Sequence, residues 1–215
     1  MDEIRAGGAM RGPASLLLVH GAGSGPWIYR DWPADFPTLT VSAIDLQEGL
    51  DVERASMHDY AAAVVAAAAR LPQPVAIGGW SMGGLVAMQA AGQLQPHSLV
   101  LLEPSPPAEL QGLHPDVPLS QGVFDPEAEY GAFPGGIRAR PESLLARAER
   151  KRGISVPSLP CPSLVIASVD FRDERGRAIA QLYSSSFVSF PALGHFDLVL
   201  DAAPRRAVRD FLEVD

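Results

Sequence analysis

The stretch Val75–Gly84, VAIGGWSMGG, decides the fold. Its first half is a short apolar run that is typical of a buried strand, and the glycines that follow mark a sharp turn. Beyond the turn, Met82–Gln95 repeats apolar residues at helical spacing. Ser81 stands between the two elements, where a strand-to-helix turn projects its hydroxyl out of the sheet. Glycines two positions to either side allow such a turn to close. The stretch therefore predicts a strand, a tight turn with an exposed serine, and a helix.

Similar apolar runs recur along the chain and alternate with helical patterns. The other candidate strands are Ser15–His20, Thr40–Asp45, Ser98–Leu102, Ser163–Val169 and Phe187–Phe190. They lack the alternation of polar and apolar residues seen in half-exposed strands, so we expect both faces of the sheet to be covered. Ser56–Leu71 and a segment beginning near Pro204 are predicted helices. Strands that alternate with helices predict an α/β fold with a mostly parallel central sheet flanked by helices.

The alternation breaks once, between Glu103 and Pro162, where prolines are frequent and only Pro141–Arg152 has a helical pattern. A long irregular segment inside a compact domain is usually functional or an insertion. We interpret residues 104–161 as a lid over the strand ends, with residues 1–103 and 162–215 forming the core. The alternative is a surface excursion with no catalytic role.

Composition limits the possible classes of protein. The chain of 215 residues is 47% hydrophobic and 20% charged, which is typical of a single globular domain. Its net charge of −8 argues against nucleic-acid partners, because an acidic chain repels phosphates. A lone cysteine, Cys161, and an acidic start, Met1–Glu3, favour a reducing, cytoplasmic location. The longest apolar run, Tyr60–Ala69, is about half the ~20 residues that span a bilayer, so no membrane partner is expected.

A second glycine-rich turn follows the first candidate strand, in the segment Leu16–Gly23. Acyl transfer needs two hydrogen-bond donors directed at the oxyanion of the tetrahedral intermediate. The backbone N–H of Met82, directly after the serine, is one candidate donor. The N–H of Ala22, which lies between two glycines, is the other.

This turn also resembles a dinucleotide-binding fingerprint, with Asp45 about 20 residues further on. The fingerprint requires a third glycine where Pro26 stands, and the residues after it are a poor start for a phosphate-binding helix. Nucleotide binding is therefore disfavoured.

A serine nucleophile needs a general base, and His195 is the best placed of the five histidines. It follows Gly194 on a loop after the last candidate strand, and ligands bind at the strand ends of open parallel sheets. A carboxylate should orient its imidazole. Asp170 is the favoured candidate, since it directly follows an apolar strand, and Glu103 and Asp173 are the alternatives.

On these motifs the chain resembles the α/β-hydrolase superfamily: His20-Gly21, the Gly-Trp-Ser-Met-Gly turn around Ser81, Asp170 after a strand, and Gly194-His195. The resemblance implies a serine nucleophile, an acid and a histidine in that order, and a lid of variable length after the sixth strand. Because only 19 residues precede His20, the N-terminal strands of the family are expected to be reduced. A serine nucleophile disfavours the dehalogenase and epoxide-hydrolase branches.

The resulting hypothesis is a serine hydrolase that cleaves a small carboxylic ester, lactone or thioester through an acyl-enzyme on Ser81. Its partner would be a small-molecule acyl substrate, and the chemistry calls for no metal or organic cofactor. Two alternatives stay open. One is a C–C bond hydrolase of a diketone-like substrate that uses the same residues, and the other is a ligand-sensing binding protein. The oligomeric state is left open.

Two groups of side chains could shape specificity. Candidates for an apolar acyl pocket are Trp27, Trp80, Phe133, Phe171 and Phe196. Cations that could meet an anionic leaving group, such as a phosphorylated thioester carrier, are Arg138, Arg140, Arg147, Arg150, Lys151 and Arg152. Ordinary packing and a solvated helix face are the respective alternatives.

Overall fold

The architecture is that of a computed structural model, which describes residues 12–135 and 137–213. In chain order, its strands are β1 (Ser15–Val19), β2 (Thr40–Ile44), β3 (Val75–Trp80), β4 (Ser98–Leu102), β5 (Val123–Phe124), β6 (Glu142–Ser143), β7 (Ser163–Ala167) and β8 (Ser186–Ser189). Six of these form a sheet in the order β2-β1-β3-β4-β7-β8, and all of its pairings are parallel. The α/β fold with a mostly parallel central sheet is therefore confirmed.

The four inner strands of this sheet are buried along their whole length. Side chains alternate between the two faces of a strand. In β1, Leu17 and Val19 accordingly belong to one hydrophobic cluster, and Leu16 and Leu18 belong to the other. The edge strands β2 and β8 are only partly covered. The expectation that both faces are covered is met in the centre of the sheet.

Helices cover the two faces in separate groups. They are α1 (Trp32–Asp35), α2 (Met57–Ala68), α3 (Met82–Leu94), α4 (Ala108–Gln111), α5 (Pro126–Tyr130), α6 (Leu144–Arg152), α7 (Ala178–Tyr183), α8 (Asp197–Leu200) and α9 (Ala202–Leu212). Buried residues of α2, α3 and α7 join the cluster around Leu17, and those of α1, α8 and α9 join the cluster around Leu16. A 3₁₀ turn (Pro26–Tyr29) and a π-helical turn (Arg172–Arg177) complete the elements. The predicted helices starting at Ser56 and Met82, and the one near Pro204, are present within a few residues of their expected bounds.

The β4–β7 connection (residues 103–162) contains α4, α5, α6 and the small antiparallel pair of β5 and β6. The helix expected over Pro141–Arg152 begins only at Leu144, because Glu142 and Ser143 form β6. The backbone N–H of Arg140 donates to the carbonyl of Gly23, 2.9 Å away. This bond ties the connection to the turn that follows β1, at the carboxyl end of the sheet.

Residues 1–11 lie outside the described part of the chain. They include the acidic start, Met1–Glu3, and most of the residues before β1 on which the expected reduction of the N-terminal strands depends. Within residues 12–135 and 137–213, none of the helices combines the length and the apolar character needed to cross a bilayer.

The start of α2 provides a test of the local structure. Ser56 Oγ accepts from the N–H of Asp59 at 3.1 Å, and the Asp59 carboxylate accepts from the N–H of Ser56 at 2.9 Å. Ser56→Ala should lower the free energy of unfolding by about 1 kcal/mol, since one N–H at the helix start loses its acceptor. Urea unfolding measures this change. Ser56→Thr keeps a hydroxyl and should retain most of the stability, and equal losses in both variants would contradict the cap.

Candidate active site

Ser81 occupies a strained turn between β3 and α3. Its φ of 55° and ψ of −121° are unusual for a residue with a side chain. Three backbone hydrogen bonds hold it there. Its N–H donates to Leu102 O at 3.0 Å, and its own carbonyl accepts from the N–H groups of Gly84 at 3.1 Å and Ser105 at 2.9 Å. The surrounding backbone thus fixes the conformation that the sequence predicted.

The glycines beside this turn are required by close backbone contacts. A Cβ on Gly79 would lie 2.4 Å from the carbonyl oxygen of Gly83. A Cβ on Gly83 would lie 2.3 Å from Val19 O and 2.4 Å from His20 O. The first turn of α3 therefore packs directly against the ends of β3 and β1, and no side chain fits between them.

His195 lies on the loop after β8, and its imidazole is paired with Glu103. Nδ1 of His195 is 2.5 Å from Oε2 of Glu103. Glu103 directly follows β4, is fully buried, and has a φ of 44°. Ser168 donates to the same carboxylate through its N–H at 2.9 Å and its hydroxyl at 2.8 Å. Burial raises the pKa of a carboxyl group, but here the hydrogen bonds from His195 and Ser168 outweigh burial and lower the pKa of Glu103 below its usual value.

Asp170, the acid that the sequence favoured, has a different position. Its Oδ2 accepts from the backbone N–H of His195 at 2.8 Å, whereas the ring is paired with Glu103. The strand before it, β7, stops at Ala167 rather than at the predicted Val169. The hydroxyl of Ser168 then accepts from the N–H of Asp170 at 3.1 Å. The imidazole is thus paired with Glu103, an alternative acid predicted from the sequence, and Asp170 bonds to the backbone of His195.

Asp173, the third candidate acid, is exposed and forms ion pairs with Arg172 at 2.8 Å and with Arg177 at 3.2 Å. It lies in the π-helical turn after β7. These contacts engage its carboxylate at the surface.

The two candidate oxyanion donors lie at the ends of β1 and β3. Met82 is the first residue of α3, so its N–H has no acceptor within the helix. Ala22 stands in a turn in which the N–H of Ser24 donates to Gly21 O at 3.3 Å and Gly23 has a φ of 71°. A positive φ at the third residue of a turn favours glycine. Ala22 lines the cavity together with Ser81, and Met82 directly follows that serine, so both N–H groups remain candidate donors.

His20 supports the turn after β1 through buried hydrogen bonds. The side chain is fully buried, Nδ1 is 2.8 Å from Gly21 O, and Nε2 is 3.1 Å from the N–H of Leu46. These partners fit a tautomer with the proton on Nδ1. His20 is thus a structural residue of the first turn.

Arg140 binds the turn from the opposite side. Its Nε donates to Ser24 O at 2.8 Å, and its Nη1 donates to Asp45 at 2.9 Å. Asp45, which the nucleotide-binding alternative would have placed on a ribose, is thus engaged by an arginine. Trp27 packs against the guanidinium of Arg140, 5.1 Å from its ring centroid, and Pro26 begins a 3₁₀ turn.

Glu142 forms a second link between the connection and the turn. Its buried carboxylate accepts from the N–H of Gly23 at 3.1 Å and from the hydroxyl of Tyr60 at 2.5 Å. The sequence analysis did not single out Glu142, because a lone acidic residue next to a proline carries no periodic signal.

A cavity of about 720 Å³ lies at this end of the sheet and brings Ser81, His195 and Ala22 together. Its aromatic lining residues are Trp80, Tyr130, Phe133, Phe171 and Phe196. Four of the five aromatic residues expected in an acyl pocket are among them, and Trp27 is not. The α5–α6 part of the connection contributes to the same wall, as does the loop after β7.

Comparison with known proteins agrees with this geometry. The sequence model described as the alpha/beta hydrolase family matches residues 16–211. The chain belongs to the alpha/beta hydrolase family. Its mostly parallel six-stranded sheet, flanked by helices, agrees with this membership.

Relatives of this alpha/beta hydrolase include an enzyme from Neisseria meningitidis serogroup A, a pimeloyl-[acyl-carrier protein] methyl ester esterase. It is 40% identical over 79 residues, which is 36% of this chain and 25% of that protein. The chain therefore matches about a quarter of the length of that relative.

Solved structures share the fold over nearly the whole chain. A methylesterase from Arabidopsis has a TM-score of 0.69 at 16% identity, covering 93% of this chain and 99% of its own. A type II thioesterase from the borrelidin biosynthetic cluster has a TM-score of 0.66 at 22% identity, covering 98% and 95%.

The contact between α3 and β1 gives a test with an internal control. Gly83→Ala should lower the free energy of unfolding by about 2 kcal/mol or more, since its Cβ would overlap two backbone carbonyls. Gly92→Ala lies in the same helix, where a Cβ meets nothing within 4 Å, and should raise it by roughly 0.5–1 kcal/mol. Chemical denaturation of both variants checks the difference. Similar effects of the two substitutions would contradict the close packing of the turn.

Proposed function

We propose that the chain is a serine hydrolase that cleaves a small carboxylic ester, lactone or thioester through an acyl-enzyme on Ser81. One observation carries the proposal. A strained, backbone-held serine and a histidine whose Nδ1 is bound to a buried carboxylate line the same cavity. A nucleophile, a base and a group that orients the base are the parts that nucleophilic acyl transfer requires.

In the acylation step, the Oγ of Ser81 attacks the acyl carbon while Nε2 of His195 takes the hydroxyl proton. Because Nδ1 faces Glu103, the other ring nitrogen is the one available to the serine. The imidazolium then protonates the leaving group as the tetrahedral intermediate collapses to the acyl-enzyme. In the second half, His195 removes a proton from water, which attacks the acyl carbon and releases the acid.

Two further groups stabilise charge during these steps. The N–H groups of Met82 and Ala22 donate to the oxyanion, and the start of α3 adds the positive end of its helix dipole. Glu103 stabilises the imidazolium. Its lowered pKa keeps it ionised near neutral pH, which supports this role. We assign Glu103 as the acid, and we assign Asp170 the task of holding the backbone of the histidine loop.

Residues 104–161 act as a lid on a core of residues 1–103 and 162–215 in this proposal. Support comes from Tyr130, Phe133 and Arg150, which line the cavity together with Ser81. The bonds of Arg140 and Glu142 to the turn after β1 hold this lid on the core.

The relatives support ester or thioester substrates. One partial match is a pimeloyl-[acyl-carrier protein] methyl ester esterase, and one structural neighbour is a type II thioesterase. An acyl group bound through oxygen or sulfur suits the same nucleophile and the same oxyanion donors.

Ser81→Ala should reduce the turnover of p-nitrophenyl acyl esters on the order of 10⁴-fold or more, since the attacking oxygen is lost. It should also abolish labelling by a fluorophosphonate probe. Ester release is followed by absorbance and labelling by gel fluorescence. Ser155→Ala, at an exposed serine that donates to Glu109, is the control and should behave like the natural sequence.

Undiminished labelling of Ser81→Ala would overturn the assignment of the nucleophile. Esters of graded acyl length also separate the alternatives that the sequence left open. Efficient turnover of simple esters is expected of an esterase, whereas a sensor would release product slowly and retain it.

A pair of isosteric variants tests the acid. Glu103→Gln should lower kcat by roughly 10²–10⁴-fold, because an amide neither stabilises the imidazolium nor fixes its tautomer. Asp170→Asn keeps an oxygen that accepts the N–H of His195 and should cost less than about tenfold. Steady-state kinetics on one p-nitrophenyl ester compares them, with circular dichroism as the check on folding. The opposite order of effects would return the role to Asp170.

A further inference from the structure

One cation of α6 faces the cavity while its neighbours are engaged elsewhere. Arg147 forms an ion pair with Glu129, which also lies 3.7 Å from Lys151. Arg152 donates to the carbonyl of Pro115. Each of these three cations thus has a partner away from the nucleophile.

Arg150 lines the cavity, and its guanidinium has few hydrogen-bond partners. Its Nη2 is 3.5 Å from the hydroxyl of Tyr130, which is the outer limit of a hydrogen bond. Its Nε is sheltered from solvent and has no hydrogen-bond partner within the described part of the chain. A sheltered guanidinium nitrogen without an acceptor is costly, so a bound acceptor would stabilise it.

Arg175 lines the same cavity from the π-helical turn after β7. Its guanidinium lies over the ring of Phe171, 3.9 Å from the centroid. Arg172 and Arg177 in the same turn are paired with Asp173. Burial lowers the pKa of Arg175, and the positive charge of Arg150 acts in the same direction. The two arginines thus place like charges on one cavity.

The acidic residues that line the cavity form no ion pair with these two arginines. Asp170 accepts from the N–H of His195, and Asp197 accepts from the N–H of Gly194, both at 2.8 Å. Glu103, which opposes the effect of burial on Arg175, is paired with the imidazole. Across residues 12–135 and 137–213, no carboxylate oxygen lies within 4.0 Å of either cavity guanidinium. Two positive charges in a protein of net charge −8 thus line a cavity in which neither has a direct carboxylate partner among the described residues.

We propose that Arg150 and Arg175 form an anion subsite, and that the ester bound at Ser81 carries a carboxylate or phosphate group which this pair holds. The proposal rests on the proposed hydrolase function and specifies its substrate class. A guanidinium presents paired N–H donors that match the two oxygens of such a group. A bound anion would supply the acceptor that Arg150 Nε lacks and would offset the repulsion between the two arginines.

Aromatic side chains line the cavity that holds both the subsite and Ser81. Phe133 and Phe196 contact each other with ring centroids 4.8 Å apart, and Trp80 lies 5.0 Å from Phe196. An apolar spacer between the anionic group and the ester suits this wall, because burial of methylene groups on aromatic rings is favourable.

Matched esters test the subsite by kinetics. The three probes are p-nitrophenyl hexanoate, the p-nitrophenyl monoester of adipic acid, and a hexanoate ester of a carboxylated nitrophenol. The second carries its charge on the acyl side and the third on the leaving group. We expect one charged ester to exceed the neutral ester at least tenfold in kcat/KM, and the better one identifies the side on which the anion lies.

Substitution of the arginines should remove this preference. Arg150→Gln and Arg175→Gln should each reduce the ratio of charged to neutral kcat/KM about tenfold. The charge-matched controls Arg152→Gln on α6 and Arg172→Gln on the π-helical turn should leave the ratio unchanged. Equal kcat/KM for all three esters, or equal ratios in cavity and control variants, would overturn the subsite.

A binding measurement separates this proposal from the hydrolase itself. In Ser81→Ala, isothermal titration calorimetry gives the Kd of each ester without turnover. Tighter binding of a charged ester that is lost with Arg150→Gln supports the subsite. If the natural sequence hydrolyses no ester, that result counts against the hydrolase function but not against the subsite. Turnover of neutral esters with no preference for charge in either measurement overturns the subsite alone.

Discussion

The packing of the first turn of α3 against the carboxyl ends of β1 and β3 is the contact on which the cavity depends. Glycine at positions 79 and 83 lets backbone approach backbone where a single Cβ would overlap a carbonyl oxygen. The approach forces Ser81 into a positive φ and leaves the N–H groups at the start of the helix without helical acceptors. It also brings α3 against Val19 and His20, which lead into the turn that carries Ala22. One close contact thus positions the serine and both candidate oxyanion donors.

Much of this arrangement could be predicted from the sequence, because it is encoded locally. The buried strands have continuous apolar runs, Ser56 and Pro204 mark helix starts, and glycines flank Ser81 at fixed spacing. The same local signals placed Ser81 and His195 at the end of the sheet where they line one cavity. Patterns of this kind depend only on neighbours along the chain.

The carboxylate partner could not be decided in the same way. Asp170 and Glu103 each follow an apolar strand, and the choice between them depends on where β7 ends and on the positive φ of Glu103. Both depend on contacts between β4, β7 and the histidine loop. The bonds of Glu142 to Gly23 and of Arg140 to Ser24 and Asp45 could not be predicted for a related reason, since these partners lie more than ninety residues away along the chain. Glu103, directly after β4, binds the imidazole, so no residue after β7 is needed for that contact. The turn after β7 instead places Arg175 on the cavity wall.

The hold of Arg140 and Glu142 on the turn after β1 also limits how the cavity opens. A hinged swing of the whole β4–β7 connection would break the Arg140–Gly23 and Glu142–Gly23 bonds and separate the buried carboxylate from its donors Gly23 and Tyr60. Small displacements of the aromatic rim at Tyr130 and Phe133 break neither bond. Small molecules should therefore enter and leave past this rim, while the anchored part of the connection stays in place.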